Sequence, residues 1–392
     1  MQKIFLTKYS VKGVKALDKL ISLSFHLSGT EKRSNIKAIY GPNGSGKSGI
    51  IASAGILQSL LVDDGYLTNP FVQECLDSIV NKVTEKLFIE VEYVAKSPEK
   101  TTYLYSIAIK KDNIGKYTIS HEKLLLRNNF GDRLVFESAN GELVSLGDMD
   151  DFDFLFNKTR NLLSTASFCA VYSAKKLDQQ LSTQEINSLQ LLGQSLYVYE
   201  ATGLNTQAVG LYPAENSISK NEIAEFRRDV TELCQFLRIF KPDLKMIAID
   251  SRESYNSFIC DLIMDYGEYK IEAKNESSGI QRLIELFMYL KNMCNGKILF
   301  VDDLELDLHS VYLSALVEYL LNYVEGQMCF TTHDISLMDV LKQNDIDYLS
   351  EDHRLYAQKK GIGYLPSNLY KDGMIEDSQF NVDTLDFVGV FS

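Results

Sequence analysis

Residues 41–48 read Gly-Pro-Asn-Gly-Ser-Gly-Lys-Ser and meet every fixed position of the pattern G-x-x-x-x-G-K-[ST]. Nothing else in the 392 residues narrows the fold as far. Gly41, Gly44 and Gly46 let successive backbone N–H groups turn inward into a concave anion nest, with Pro42, Asn43 and Ser45 completing the loop. Lys47 adds a charge able to reach β- and γ-phosphates, and Ser48 offers a hydroxyl to Mg2+. The flanks agree. Ile36, Ala38, Ile39 and Tyr40 make a short buried strand, and residues 50–61 a helix whose N-terminus faces the bound anion.

The period of the apolar residues changes along the chain. Residues 4–6 and the alternating 21–27 read as strands. Residues 47–86 read as helical, broken at Asp63-Asp64-Gly65 and Asn69-Pro70. From 87 to 145 the period falls to two, and Asn140-Gly141 sets a tight hairpin, so an antiparallel sheet follows the first helix. Residues 150–241 turn helical again. There Ser219 and Glu222 suggest a capping box ahead of Ile223, Phe226, Val230, Leu233, Leu237 and Phe240. Strands at 245–249, 258–264 and 269–273 lead into helix 280–293, strand 298–301, helix 310–324, strand 327–331, helix 335–342 and a strand pair at 347–357. Such alternation implies an α/β fold with a mostly parallel sheet and helices on its faces. The expected division is 1–148, a lobe with the phosphate loop and an antiparallel β subdomain; 149–243, a helical insertion; and 244–392, a second lobe.

Composition excludes some classes. A net charge of −13 argues against a uniformly basic nucleic-acid binder. Six cysteines without a C-x-x-C spacing read as reduced core thiols. No apolar signal core and no long uncharged run occur, so a cytoplasmic protein without a membrane span is expected.

The run Ile298–Val301 followed by Asp302-Asp303 is a buried strand ending in carboxylates at the edge where open α/β sheets bind ligands. Asp302 is the candidate Mg2+ ligand and Asp303 the candidate to orient or deprotonate an attacking water. A second apolar strand ends in Thr331-Thr332-His333, and His333 can reach a γ-phosphate from there. Glu276-Ser277-Ser278-Gly279 opens an amphipathic helix. Its serine is either an ordinary N-cap or part of an anion site at a helix N-terminus.

Taken in order, phosphate loop, Ser-x-Gly before a helix, apolar strand with Asp-Asp, and strand with Thr-Thr-His resemble the heads of ABC-class ATPases. The style of Val301–His309 and Phe330–Asp334 looks like the prokaryotic AAA-family ATPases grouped with RecF-type repair proteins, structural-maintenance-of-chromosomes heads and the ATPase half of OLD nucleases. Many of that group belong to phage-defence or abortive-infection systems. Asn368–Gly373 looks like the group's closing segment.

The resemblance implies a P-loop NTPase with an ABC-type head, using ATP and Mg2+. It implies that Gly41–Ser48 bind the triphosphate, that Asp302 serves the metal and that His333 is the switch histidine. Ser277 and Gly279 would contact the γ-phosphate held by a second protomer. Asp303 stands where the family carries a catalytic Glu; being one C–C bond of about 1.5 Å shorter, it predicts slow hydrolysis or a role shared with Glu305. His309 stands where the family usually has an acidic residue. A signature serine remote from its own phosphate loop implies a head-to-tail dimer sandwiching two ATP molecules. The expected role is a regulatory ATPase for a separate nuclease or toxin effector in anti-phage defence. The alternative is a DNA-repair or DNA-organising ATPase, for which Lys175-Lys176, Arg227-Arg228 and Lys359-Lys360 are the candidate basic sites.

Overall fold

The computed structural model describes residues 3–25, 35–97, 99–128, 131–147, 152–177, 183–200 and 209–357. Lys359-Lys360 and Asn368–Gly373 lie outside them.

The chain opens with β1 (Lys3–Lys12), β2 (Ile21–Ser24) and β3 (Ile36–Tyr40). The phosphate loop then leads into α1 (Lys47–Val62). This helix is apolar nearly all round and buried nearly all round, as a central helix must be. α2 (Pro70–Ile79) starts where Asn69 caps it, its side chain accepting the Phe71 N–H, with Pro70 in the first helical position. The stretch of period two becomes β4 (Lys86–Ser97), β5 (Glu99–Lys111), β6 (Tyr117–Asn128), β7 (Gly131–Ala139) and β8 (Glu142–Leu146). With β1 and β2 they form one seven-stranded sheet in the order β2-β1-β4-β5-β6-β7-β8, antiparallel at every pairing. The β7–β8 hairpin turns at Asn140 (φ 50°) and Gly141 (φ 87°), the left-handed pair that a two-residue turn needs.

The region expected to be helical is not uniformly so. α3 (Phe152–Thr159), α4 (Phe168–Ala174) and α5 (Gln184–Gly193) come first, then strands β9 (Leu196–Tyr199) and β10 (Asn216–Ser219), then α6 (Ile223–Phe240). β9 belongs to the core sheet, pairing parallel with β14 (Ile298–Val301), so residues 149–243 are not wholly an addition to the core. Ser219 ends β10, paired with Ser257, and α6 begins only at Ile223 without a side-chain cap, so the expected capping box is replaced by a tight turn. β11 (Met246–Ser254), β12 (Ser257–Asp265) and β13 (Lys270–Glu272) join β10 in a small antiparallel sheet under α6.

α7 (Ser278–Cys294), β14, α8 (Ser310–Tyr323), β15 (Gln327–Thr331), β16 (Ile346–Leu349) and β17 (Leu355–Ala357) complete the fold. Residues 335–342 do not form an α-helix; a short 3-10 turn over Ile335–Asp339 stands there, capped by Asp334. The core sheet runs β17-β16-β3-β15-β14-β9, parallel except for β17. Its strands are mostly apolar on both faces because both are covered, with Lys37 of β3 and Asp347 of β16 buried as an ion pair. Ile39, Ile298, Phe300 and Cys329 face the core around α1, while Ala38, Leu299, Val301, Met328 and Phe330 face α7 and α8. All parallel strands therefore present their C-terminal ends at one edge, where β3, β15 and β14 lie side by side.

Candidate nucleotide site

The phosphate loop leaves the C-terminal end of β3. Gly41 meets the Leu349 carbonyl so closely that an added Cβ would stand 2.3 Å from it, and Gly46 sits at φ 105° against the Leu17 side chain. Both positions demand glycine on steric grounds. Lys47 is buried, and its ammonium donates to the carbonyls of Gly41 (2.8 Å) and Pro42 (3.0 Å). Burial pushes its pKa down, against the pull of Asp303, Asp302 and Glu305, in that order. Those three carboxylates thus lie within electrostatic reach of the loop lysine. Ser45 Oγ is buried inside the loop with no hydrogen-bond partner among the described residues, and Ser48 is half-buried in the first turn of α1.

Asp302 and Asp303 follow β14. The Thr331 hydroxyl, at the end of the neighbouring β15, donates to Asp302 Oδ1 at 2.7 Å and accepts the Asp303 N–H at 2.8 Å. Asp303 has φ 46°, a left-handed conformation rare for a residue with a side chain. Glu305 Oε1 accepts the His333 N–H at 2.6 Å, while Oε2 is buried without a partner among the described residues. The His333 ring is exposed at the same edge. From the other side Arg282 of α7 donates to the carbonyls of Asp302 (3.0 Å) and Asp303 (3.1 Å), with its guanidinium 4.2 Å above the Tyr199 ring.

Gly41–Ser48, Asp302, Asp303, Glu305 and His333 are therefore gathered at one sheet edge. Ser277 and Gly279 are not among them. Ser277 is exposed at the N-cap of α7 and makes no side-chain cap bond. Its cleft is shared with Lys241, Asp307 and His309 rather than with the loop. A Cβ on Gly279 would stand 2.5 Å from the Asp307 carbonyl, so only glycine lets α7 start this close to the 304–309 turn. His309 caps α8, its Nδ1 accepting the Val311 N–H. Tyr9 is a core residue, bonded through its hydroxyl to Ser53 and packed on Phe300. The exposed pairs Lys175-Lys176 and Arg227-Arg228 are solvated charges. The sequence reading overlooked Thr331 and Arg282. The Thr-Thr-His run flagged the first without saying which hydroxyl reaches the acids.

A phosphate loop after one parallel strand, an acidic pair after another, and between them a strand ending in Thr-Thr-His define an α/β fold of the P-loop NTPase type, with its candidate site at one sheet edge. Residues 213–339 match the family model described as "AAA domain, putative AbiEii toxin, Type IV TA system". That span holds the 277–279 segment, the acidic pair and His333. Among solved structures the chain is similar to the recombination mediator protein RecF with ATP in the RecFOR pathway, at 12% identity and TM-score 0.44, covering 91% of this chain and 100% of that one. The same protein with ATPrS gives 12%, 0.43, 91% and 99%. At such TM-scores the fold assignment stands on the strand order, not on this likeness. No curated protein matches the chain.

Proposed function

We propose that this chain binds and slowly hydrolyses ATP at composite sites of a head-to-tail dimer, and that it regulates a separate effector in an anti-phage or toxin-type system. The observation that carries the reading is that the Lys47 loop follows β3 and Asp302, Asp303 and Glu305 follow β14 at the same edge of one parallel sheet, with only β15 between them. In this reading Gly41–Ser48 cradle the triphosphate and Lys47 turns from its own loop carbonyls to the β- and γ-oxygens. Asp303, or Glu305 held by the His333 amide, takes the proton of the attacking water. His333 contacts the γ-phosphate, and Ser277 and Gly279 of a second copy cover it.

The donor set fits Mg2+. Ser48 and Asp302 offer hard oxygens, and Mg2+ in such sites is bound by one or two carboxylates plus phosphate rather than by a protein cage. Among the described residues no cluster of three or more His, Cys, Asp or Glu forms such a cage. A metal there would neutralise charge on the phosphate oxygens. The toxin system named in the matching family's description supports a partner protein as the target of regulation. No helix among the described residues is long and apolar enough to cross a membrane.

Two variants test the reading, with binding followed by a fluorescent ATP analogue and turnover by phosphate release. Lys47→Ala is expected to lose binding. Asp303→Ala is expected to keep binding and to lose turnover by about a hundredfold or more, the scale of a general base. A wild-type protein that binds no ATP sinks the proposal, and unchanged turnover in Asp303→Ala moves the base to Glu305.

A further inference from the structure

We propose that Thr331 is a positioning residue for the reaction: its hydroxyl sets the orientation of the Asp302 carboxylate and the backbone of Asp303 together. The inference rests on the ATPase reading above. Thr331 is fully buried as the last residue of β15, between β3, which carries the phosphate loop, and β14, which carries the acids. A threonine hydroxyl has one proton to give and lone pairs to receive with. Here it receives the Asp303 N–H at 2.8 Å and gives its proton to Asp302 Oδ1 at 2.7 Å. Asp303 Oδ1, at 3.4 Å, is too far to compete for that proton. The Thr331 carbonyl also accepts the Leu304 N–H at 3.1 Å, so the turn after β14 is held at two points by one residue.

The neighbouring hydroxyl does something else. Thr332 Oγ1 accepts the Asp334 N–H at 3.0 Å, a bond within its own turn. The two threonines before His333 thus divide the work, and only the first touches the acids. Holding Oδ1 fixes the rotation of the Asp302 carboxylate, which leaves its other oxygen a single direction. Accepting the Asp303 N–H holds a left-handed residue that would otherwise relax, and the carboxylate of Asp303 with it. Both acids are set by one strand that also pairs with β3, so acid placement and loop placement are linked through the β15 backbone.

The test uses the full chain with Thr331→Val, which keeps the β-branched shape without the hydroxyl, and Thr331→Ser, which keeps the hydroxyl without the methyl. Hydrogen–deuterium exchange across residues 300–306 is measured without nucleotide. ATP binding is measured in EDTA, and hydrolysis across a Mg2+ titration. Thr331→Val is expected to speed exchange at the Asp303 amide. It should lower kcat by about a hundredfold, the scale of an ångström of misplacement. It should also raise the Mg2+ needed for half-maximal rate, while ATP binding in EDTA stays unchanged. Thr331→Ser restores all three. Wild-type exchange in Thr331→Val overturns the proposal, as does a serine variant that behaves like the valine one. Should no protein, wild type included, hydrolyse ATP, the ATPase reading fails, and the exchange data still decide whether Thr331 holds the turn.

Discussion

Glu122 is a fully buried carboxyl that accepts the Tyr105 hydroxyl at 2.8 Å and the Phe168 N–H at 2.9 Å, joining β6 to the start of α4. Burial pushes its pKa from the ordinary 4.5 up to about 7, with the Phe168 and Tyr105 hydrogen bonds pulling the other way. Because the folded-state value lies above the unfolded one, the folded protein holds the proton longer. Stability therefore falls as pH rises from the unfolded value to the folded one and levels off above it. At about 1.4 kcal/mol per pKa unit the loss is on the order of 3 kcal/mol. Glu122→Gln has no such titration, so its stability relative to wild type should rise by that order between pH 5 and pH 8. Urea unfolding at the two pH values measures the difference, and a difference independent of pH contradicts the assignment. Strain sits elsewhere: the left-handed Asp303 costs about 1–3 kcal/mol, which the Thr331 and Arg282 contacts hold in place.

Between elements, one buried tie between the two large sheets is Gln327, the first residue of β15. Its side chain accepts the Leu6 N–H at 2.7 Å and donates to the Leu6 carbonyl at 3.0 Å, both buried. Leu6, paired with Tyr93, is the last position before the β1–β4 register shifts past Thr7, so the amide anchors β1 beside its bulge. Gln327→Leu fills the space but orphans two buried backbone groups at about 1–3 kcal/mol each. The expected loss is about 2–6 kcal/mol in denaturant midpoint analysis. A loss below about 0.5 kcal/mol, the level of ordinary surface changes, shows that the tie is not structural. Sequence pattern alone reached β14 and β15 to the residue, because each is a short apolar run stopped by polar residues. It missed β9, where Leu196–Tyr199 follows a helix directly and becomes a strand only through β14 beside it. It missed the Thr331 bridge for the same reason: the hydroxyl is 29 residues from Asp302 and 28 from Asp303, and they meet only across neighbouring strands. The phosphate loop was legible because its chemistry is local, residue next to residue.

At the scale of the molecule, charge bears on the proposed dimer. Each head carries a net charge of −13, so two heads repel at long range and ATP adds further negative charge between them. Association then depends on the local fit of Ser277, Gly279 and the phosphate oxygens, with salt screening the repulsion over a Debye length of about 10 Å at 0.1 M. Light scattering with ATP and Mg2+ is expected to show a dimer that wild type loses without nucleotide, and that Ser277→Arg fails to form while still binding ATP. The dimer fraction at fixed ATP should rise as salt goes from about 0.05 to about 0.3 M, since repulsion weakens faster than contacts between matched surfaces. Binding to duplex DNA has the opposite sign, because phosphate contacts are lost as counterions compete. One salt series therefore separates the two uses of this head. A dimer that strengthens with salt beside negligible DNA binding supports the effector reading. Tight DNA binding that collapses with salt supports the repair-type alternative, and a dimer unaffected by Ser277→Arg removes the composite site.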